Sequence, residues 1–228
     1  MATMRGMGTL YLVRHGQASF GAADYDQLSP LGTRQCHALG EYLAGRGLQF
    51  EAVLRGSLRR HVQSLAALAA GHGQLPEALE WPGLNEYDGD ALVRAVYSGP
   101  PPPPDTPEGY RQHFRLLRDG LQAWMQGSSS PVGMPAYADW VAGITGALDH
   151  VRAQCSGNVL VVSSGGPIAT ALGRVLGTPS ETTIDLNMQI RNSSLTELAF
   201  TPRRHVLVSF NQLPHLDQGD RRDWVTHS

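Results

Sequence analysis

Short apolar runs alternate with helical patterns along most of this chain of 228 residues. Apolar runs of this length are typical of buried strands, and leucines and alanines at helical spacing predict helices between them. The predicted strands are Thr9–Val13, Phe50–Leu54, Val159–Ser163, Leu195–Phe200 and Val206–Phe210. The predicted helices are Pro30–Leu43, Leu58–Ala70, Glu108–Met125, Ala136–Val151 and Pro167–Leu176. This alternation predicts an α/β fold, a three-layer α/β/α sandwich with a mostly parallel, mixed sheet.

Short connections and capping residues refine this prediction. Only Thr201–His205 joins the last two strands, which is too short for a helical crossover, so they should form an antiparallel hairpin at one edge of the sheet. Ser29 before Pro30 is a favourable start for the first helix, and Ser57 is the N-cap expected for the second.

The segment from about residue 90 to residue 135 differs in composition from the rest of the chain. It contains the run Pro100–Pro104, which favours a polyproline conformation, and the flexible stretch Gly127–Pro131. A proline run either forms a stiff surface loop or recruits a binding module, and the surface loop is the simpler interpretation. We interpret residues 1–228 as a single domain with a cap region inserted at about 90–135.

Charge and cysteine content argue against several functional classes. A formal net charge of −2, with acidic and basic residues mixed, is not typical of a nucleic-acid or membrane-surface protein. Met1–Thr9 lacks the apolar core of a signal peptide, and no apolar stretch approaches the ~20 residues of a membrane span. Cys36 and Cys155 are interpreted as free thiols, which favours a cytoplasmic protein. The histidines show no metal-site spacing, so we expect no metal and no cofactor.

A tripeptide of chemical interest follows the first predicted strand. Arg14 and His15 come at its end, and Gly16 allows the backbone to turn at once. Open α/β sheets bind ligands at the carboxyl ends of their strands. An arginine pairs with phosphate oxygens, and a neutral histidine nitrogen can attack phosphorus. Alone, the tripeptide is equally consistent with a strand end that carries a solvated arginine and a hydrogen-bonded histidine.

Further segments in a consistent order make the chain resemble the histidine phosphatase superfamily. That family includes the cofactor-dependent phosphoglycerate mutases and many phosphatases. The resemblance runs from about Thr9 to Leu216. It rests on the segments Arg14–Gly16, Leu28–Gln35, Ser57–Ser64, Leu84–Gly89, Val159–Ile168, Arg191–Leu198 and Phe210–Leu216. It implies the phosphoglycerate mutase-like version of the α/β/α sandwich.

The resemblance also implies catalytic roles. His15 would be the nucleophile that becomes transiently phosphorylated, and Arg14 and Arg60 would bind the phosphoryl group. Glu86 would be the general acid or base.

Neighbouring residues have simpler interpretations. Arg59 is interpreted as a solvated surface arginine, and His61 as a histidine on the surface of its helix. Asp88 is second choice to Glu86 for the acid, and is more simply a turn residue before Gly89.

One departure from the family pattern concerns Ser164, on which the family's second catalytic histidine falls. Serine keeps a donor but cannot carry a positive charge, and loss of one preorganised donor costs on the order of 10²–10³ in rate. We expect Ser164 and the amide of Gly165 to bind phosphate nonetheless. Asn192 is expected to prop the pocket, and His215 to be structural rather than a substitute for the missing histidine.

A second departure lies in the loop after His15. Ala18 and Gly21 stand where many members carry residues that touch phosphate. Gln17 and Ser19 are the expected replacements.

These observations favour a metal-independent phosphatase that hydrolyses a phosphate monoester through a phosphohistidine. Its substrate would be a small-molecule or protein phosphomonoester, with no nucleic-acid or membrane partner, and a homodimer is compatible with the sequence. The alternatives are a catalytically impaired phosphate-binding pseudoenzyme and a phosphoglycerate mutase. A serine hydrolase is least favoured, because Val162 stands where the Gly-x-Ser-x-Gly motif around Ser164 needs glycine.

Overall fold

A six-stranded sheet forms the centre of the computed structural model, which describes residues 7–19, 26–100, 106–217 and 219–227. The strands are β1 (Gly8–Arg14), β2 (Ala52–Arg55), β3 (Ala78–Glu80), β4 (Asn158–Ser163), β5 (Leu195–Thr201) and β6 (Arg204–Gln212). Their order across the sheet is β3-β2-β4-β1-β5-β6. The first four strands of this order pair in parallel, whereas β5 pairs antiparallel with both β1 and β6.

Helices cover both faces of this sheet. They are α1 (Pro30–Gly45), α2 (Arg59–His72), α3 (Gly89–Val96), α4 (Pro107–Met125), α5 (Tyr137–Gln154), α6 (Gly165–Leu176) and α7 (Ser180–Gln189). Successive side chains of β1 point to opposite faces, as in any strand. Tyr11 and Val13 pack with α1 and α2, while Leu10 and Leu12 pack with α5 and α6. The predicted three-layer sandwich, its mixed sheet and its edge hairpin are therefore confirmed.

The sequence pattern missed three elements. β3 has only three residues, two of them exposed, so it lacks an apolar run. The helix α7 is mostly polar and buries only Thr183 and Ile184. The short helix α3 lies at the start of the cap region, where the change in composition hid its apolar face.

The predicted N-cap of α2 is wrong. This helix begins at Arg59, and its first N–H groups are bound by the carboxylate of Asp26, which accepts from Arg59 at 2.8 Å and from Arg60 at 3.4 Å. The hydroxyl of Ser57 instead accepts a hydrogen bond from the Asn85 side chain at 2.7 Å. The cap comes from a distant segment, so local sequence preference could not identify it.

The cap region shares an apolar cluster with the rest of the molecule. Leu92 of α3 and Trp124 of α4 pack with Ile184 of α7. The proline run, apart from Pro100, lies outside the described residues. The division of the chain into one domain with an insertion at about 90–135 stays a prediction.

Three further observations concern the described part of the chain. Within the described ranges, no helix combines the length and the apolarity that a membrane crossing requires. The same ranges contain no group of three or more histidine, cysteine or carboxylate side chains arranged to hold a metal ion. Cys36 and Cys155 are both buried and form no disulfide.

Candidate active site

His15 follows β1 in a turn whose backbone is held from three sides. Its N–H donates to the carbonyl of Ser163 at 2.8 Å, and its carbonyl accepts from the N–H of Ser193 at 3.1 Å. Gly16 packs directly on α1, where a β-carbon would lie 2.3 Å from the carbonyl oxygen of Gly32. Only glycine allows this approach, so the packing of α1 determines where the histidine lies.

The imidazole of His15 is buried, with 3% of its surface exposed. Its Nδ1 lies 2.7 Å from the carbonyl oxygen of Gly16. A carbonyl only accepts, so Nδ1 carries the proton and Nε2 keeps its lone pair. Burial lowers the pKa of His15 well below its ordinary value, and the charges of Arg14 and Arg60 lower it further. At pH 7 His15 is therefore neutral, which is the form that can attack phosphorus.

Arg60 reaches the pocket from the first turn of α2. Its guanidinium is buried, and Nη1 donates to Oδ1 of Asp26 at 2.7 Å. Asp26 therefore both caps the helix and pairs with its arginine. Sequence reasoning missed this carboxylate, because it comes 34 residues before its partner and carries no local signal.

Arg14 ends β1 and is bound by two backbone carbonyls. Its Nη1 donates to the carbonyl oxygen of Ile190 and, at 2.5 Å, to that of His227. Gln35 binds the same C-terminal segment, because its Nε2 donates to the carbonyl of Trp224 at 2.6 Å. The segment before residue 228 thus lies against the arginine.

Glu86 is partly buried in the loop that precedes α3. The Ser163 hydroxyl ties this loop to β4 by donating to the carbonyl of Leu84 at 2.7 Å. The carboxylate oxygen Oε2 of Glu86 accepts from the N–H of Gly166 at 3.1 Å. Burial raises the pKa of Glu86, against the opposing effects of that hydrogen bond and of two arginine charges. A raised pKa increases the protonated fraction that a general acid needs.

The four predicted catalytic residues lie close enough for the arginine charges to act on both His15 and Glu86. The charges of Arg14 and Arg60 lower the pKa of His15 and oppose the rise in that of Glu86. These residues end or follow β1, begin α2 or precede α3, and so meet at the carboxyl edge of the parallel strands. The amide of Gly166, next to the Gly165 amide that is expected to bind phosphate, donates to the Glu86 carboxylate.

The position of His61 contradicts the sequence interpretation. Expected on the helix surface, its side chain is fully buried. Its Nε2 lies 2.7 Å from Oγ of Ser164, and its ring centroid lies 5.9 Å from that of His15. A signal was available, since His61 precedes the buried residues Ser64 and Leu68 by three and seven positions, on one face of α2.

The loop after the nucleophile brings one expected phosphate ligand into a hydrogen bond with α1. Oε1 of Gln17 accepts from the Ser29 hydroxyl at 2.8 Å, and Ser29 caps α1 as predicted by accepting from Gly32 N–H at 3.0 Å. Ser19 is partly exposed two residues further on. Gly21 lies outside the described residues. Phosphate binding by Gln17 and Ser19 stays a prediction.

Gly165 and Asn192 lie next to the pocket residues. Gly165 begins α6, and a β-carbon there would lie 3.9 Å from Nε of Arg14. Asn192 is buried, and its side-chain amide has no hydrogen-bond partner among the described residues. Buried amides are normally paired, so this one has unused capacity for water or a ligand. The roles assigned to both residues stay predictions.

The surroundings of three other residues bear on their simpler interpretations. Asp88 is the N-cap of α3, where it accepts from the N–H of Ala91 at 2.9 Å, rather than the expected turn residue. Nε2 of the buried His215 lies 2.9 Å from the Ser193 hydroxyl. The side chain of Arg59 is exposed.

Comparison with known families identifies the chain. A model described as histidine phosphatase superfamily (branch 1) matches residues 10–99 and 104–213, which is most of the sequence. The chain belongs to this superfamily. A comparison of this histidine phosphatase superfamily member with curated proteins found no match.

Solved structures share the fold of this superfamily member. A mutant phosphoserine phosphatase from Entamoeba histolytica, in complex with phosphoserine, is 20% identical with a TM-score of 0.64, and the match covers 92% of this chain and 99% of that one. Phosphoglycerate mutase from Bacillus anthracis str. Sterne is 17% identical with a TM-score of 0.65, and the match covers 94% of this chain and 97% of that one. A mycobacterial glucosyl-3-phosphoglycerate phosphatase is 19% identical with a TM-score of 0.61, and the match covers 90% of this chain and 98% of that one. The predicted phosphoglycerate mutase-like fold is confirmed.

Proposed function

We propose that this chain is a phosphatase that hydrolyses a phosphate monoester through a phosphohistidine on His15. The observation that carries the proposal is the buried, neutral imidazole that holds its proton on Nδ1 beside two arginine charges. Such an imidazole attacks through Nε2 without a base to remove a proton. Membership of the superfamily supports a phosphatase-type enzyme in general.

In the first step, Nε2 of His15 forms a bond to phosphorus while the bond from phosphorus to the leaving oxygen breaks. The imidazole becomes positively charged, and the Gly16 carbonyl stabilises it by accepting from Nδ1–H. Arg14 and Arg60 stabilise the charge on the phosphoryl oxygens. Glu86, whose raised pKa favours the protonated form, gives its proton to the leaving oxygen.

In the second step, water attacks the phosphorus of phospho-His15. The Glu86 carboxylate accepts a proton from that water, and the N–P bond breaks as inorganic phosphate leaves. Both side chains return to their starting protonation states, so the cycle balances. No step requires a metal ion.

Relatives of similar structure support a monoester substrate. Two of them are named as phosphatases, for phosphoserine and for glucosyl-3-phosphoglycerate. We infer that the substrate here is likewise a phosphomonoester, of a small molecule or of a protein.

The test is hydrolysis of p-nitrophenyl phosphate between pH 5 and 8 with EDTA present. We expect His15→Ala to lower kcat by at least about 10³, because the nucleophile is lost. The matched control is His37→Ala, an exposed histidine of α1 that lies 3.6 Å from Glu41, and it should stay within about twofold of the wild type. Rapid quenching with labelled substrate should trap an acid-labile phosphoenzyme that His15→Ala lacks. Activity that survives His15→Ala would contradict the mechanism.

A second candidate, a phosphate-binding pseudoenzyme, is favoured by the partners of the two arginines. Asp26 pairs with Arg60, and backbone carbonyls bind Arg14, so groups of the chain itself already use part of each guanidinium that catalysis would need. This candidate predicts that purified wild-type protein binds vanadate in calorimetry but turns over no substrate. A phosphoglycerate mutase would instead transfer phosphate between phosphoglycerates when a bisphosphate primer is added.

A further inference from the structure

Ser164 and His61 form a buried pair beside the proposed nucleophile. Ser164 lies between β4 and α6, and His61 lies in the first turn of α2. Both side chains are fully buried, with Nε2 and Oγ 2.7 Å apart. The rings of His61 and His15 are 5.9 Å apart, centroid to centroid. The mechanism proposed above does not use this histidine.

We propose that His61 is a positioning residue whose Nε2–H donates to Oγ of Ser164, so that the serine hydroxyl donates to the phosphoryl group carried by His15. This inference rests on the proposed function, because it assigns a donor to that phosphoryl transfer. Two side chains from different elements would together supply one oriented donor.

The surroundings of Nδ1 determine the direction of this hydrogen bond. Nδ1 of His61 is buried with no hydrogen-bond partner in the described part of the chain. A β-carbon at Gly56 would lie 2.2 Å from it, so the histidine fills the space that this glycine leaves. If the serine donated to Nε2, the ring proton would be a buried, unpaired donor at Nδ1. With the proton on Nε2, only a lone pair is unpaired, and unpaired buried donors are the rarer of the two.

The protonation state of His61 is constant across the working pH range. Burial, then the charges of Arg60 and Arg55, lowers the pKa of His61 to about 3. The ring is therefore neutral between pH 5 and 8 and keeps a single proton. Because hydrogen bonds in a chain polarise one another, a serine hydroxyl that accepts from this ring becomes a stronger donor towards phosphate.

The same distance is found between a serine nucleophile and its histidine base, but two observations argue against that role. A base imidazole is held in its tautomer by an acceptor at Nδ1, and His61 has none among the described residues. The backbone of Ser164 is extended, with φ −118° and ψ 174°, rather than strained as in a nucleophile elbow.

The experiment compares Ser164→Ala, His61→Ala, their combination and His61→Gln with p-nitrophenyl phosphate. We expect each alanine variant to lower kcat by on the order of 10², with a smaller change in KM, because one preorganised donor is lost. The double variant should be no slower than Ser164→Ala, since both changes remove the same donor. Glutamine can present an N–H near the position of Nε2 but is not a base. His61→Gln should therefore recover at least about tenfold over His61→Ala and keep the wild-type pH profile.

The matched control is His72→Ala, a second buried histidine of α2, which lies at the other end of the helix. Its Nε2 donates to the carbonyl of Leu48 at 2.9 Å, away from the pocket. Thermal unfolding of every variant separates lost stability from lost rate. If His61→Ala keeps the kcat of the wild type, or loses no more than His72→Ala, the inference is wrong. If His61→Gln recovers no activity and a fluorophosphonate labels Ser164, then His61 acts as a base for a serine nucleophile. That result would also overturn the inference.

Moving the imidazole from position 61 to position 164 provides an independent readout. Ser164→His alone places a second imidazole against that of His61 and should lower kcat. His61→Ala combined with Ser164→His leaves room for that imidazole and should be faster than His61→Ala. Equal rates in these two His61 variants would contradict the inference.

Failure of the proposed function gives a different result. In that case wild-type protein is inactive, or its activity survives His15→Ala. The inference is then tested by vanadate binding, in which Ser164→Ala and His61→Ala should raise Kd by similar factors without additivity. Unchanged vanadate affinity in both variants would overturn it.

Discussion

The pocket around His15 and the cap region around Trp124 are held by different kinds of contact. In the pocket, polar side chains such as Arg60 and Ser164 are buried, and hydrogen bonds join segments far apart in the chain. Around Trp124, the ring centroids of Tyr137 and Trp140 lie 5.1 Å and 5.3 Å away. Buried polar groups contribute little net stability but fix the position of reactive atoms, whereas buried rings contribute mainly stability. Changes in the two regions should therefore affect different measurements.

The largest expected effect on stability is that of Trp124→Ala. The side chain is 1% exposed, and its Nε1 donates to the carbonyl of Pro135 at 3.0 Å. Its removal should lower the free energy of unfolding by about 3–5 kcal/mol, measured by urea denaturation. Well below the midpoint, kcat for p-nitrophenyl phosphate should stay within about threefold. Trp124→Phe, which keeps most of the ring contacts, should lose clearly less stability. A large loss of kcat in folded Trp124→Ala would show that the cap also holds the pocket.

Arg60→Ala is expected to lower activity rather than stability, and Arg59→Ala is its neighbouring control. Arg60 is buried and its charge acts on His15, whereas Arg59 is exposed. Arg60→Ala should lower kcat/KM by on the order of 10²–10³, because one stabilising charge on the phosphoryl group is lost. Arg59→Ala should stay within about threefold. Similar losses in both variants would mean that general positive potential, rather than one guanidinium, binds the phosphoryl group.

A smaller effect is expected on the pH dependence of stability. The pKa of His61 is about 3 in the folded chain and has its ordinary value of 6.5 in the unfolded chain. Between these two pH values the unfolded chain binds more protons than the folded chain, so the folded state loses stability as pH falls. At pH 5 this amounts to about 2 kcal/mol. Urea unfolding at pH 7.5 and pH 5 should show that the wild type loses about this much more than His61→Gln. Equal losses would mean that the ring is already protonated in the folded state.

The smallest expected effect has the opposite sign and concerns Glu86. Its pKa is raised by burial, so the folded chain binds more protons than the unfolded chain, and stability falls as pH rises through the folded pKa. Glu86→Gln removes this ionisation. Its melting temperature, relative to the wild type, should increase between pH 4 and pH 7. A constant difference across that range would show that the carboxyl is not destabilised by burial.

Local patterns predicted the elements that contain either a continuous apolar run or apolar residues at helical spacing. The strands β1 and β4 bury most of their residues around a continuous apolar run, and the short link between β5 and β6 leaves only a hairpin. The elements β3 and α7 were missed because each buries too few apolar side chains to show a period. The cap of α2 was assigned to Ser57 because capping preference is local, whereas Asp26 reaches the helix through the tertiary fold.

By itself, the sequence determined most of the strands and helices and the Arg14-His15-Gly16 turn, because these depend on neighbours along the chain. The tertiary structure alone decided which distant side chains share the pocket. Asp26 meets Arg60 across 34 positions, and His61 meets Ser164 across 103. Such contacts depend on the order of strands in the sheet and on the depth at which each helix packs. Neither is encoded in the spacing of residues, so only the tertiary structure identifies His61 as the partner of Ser164.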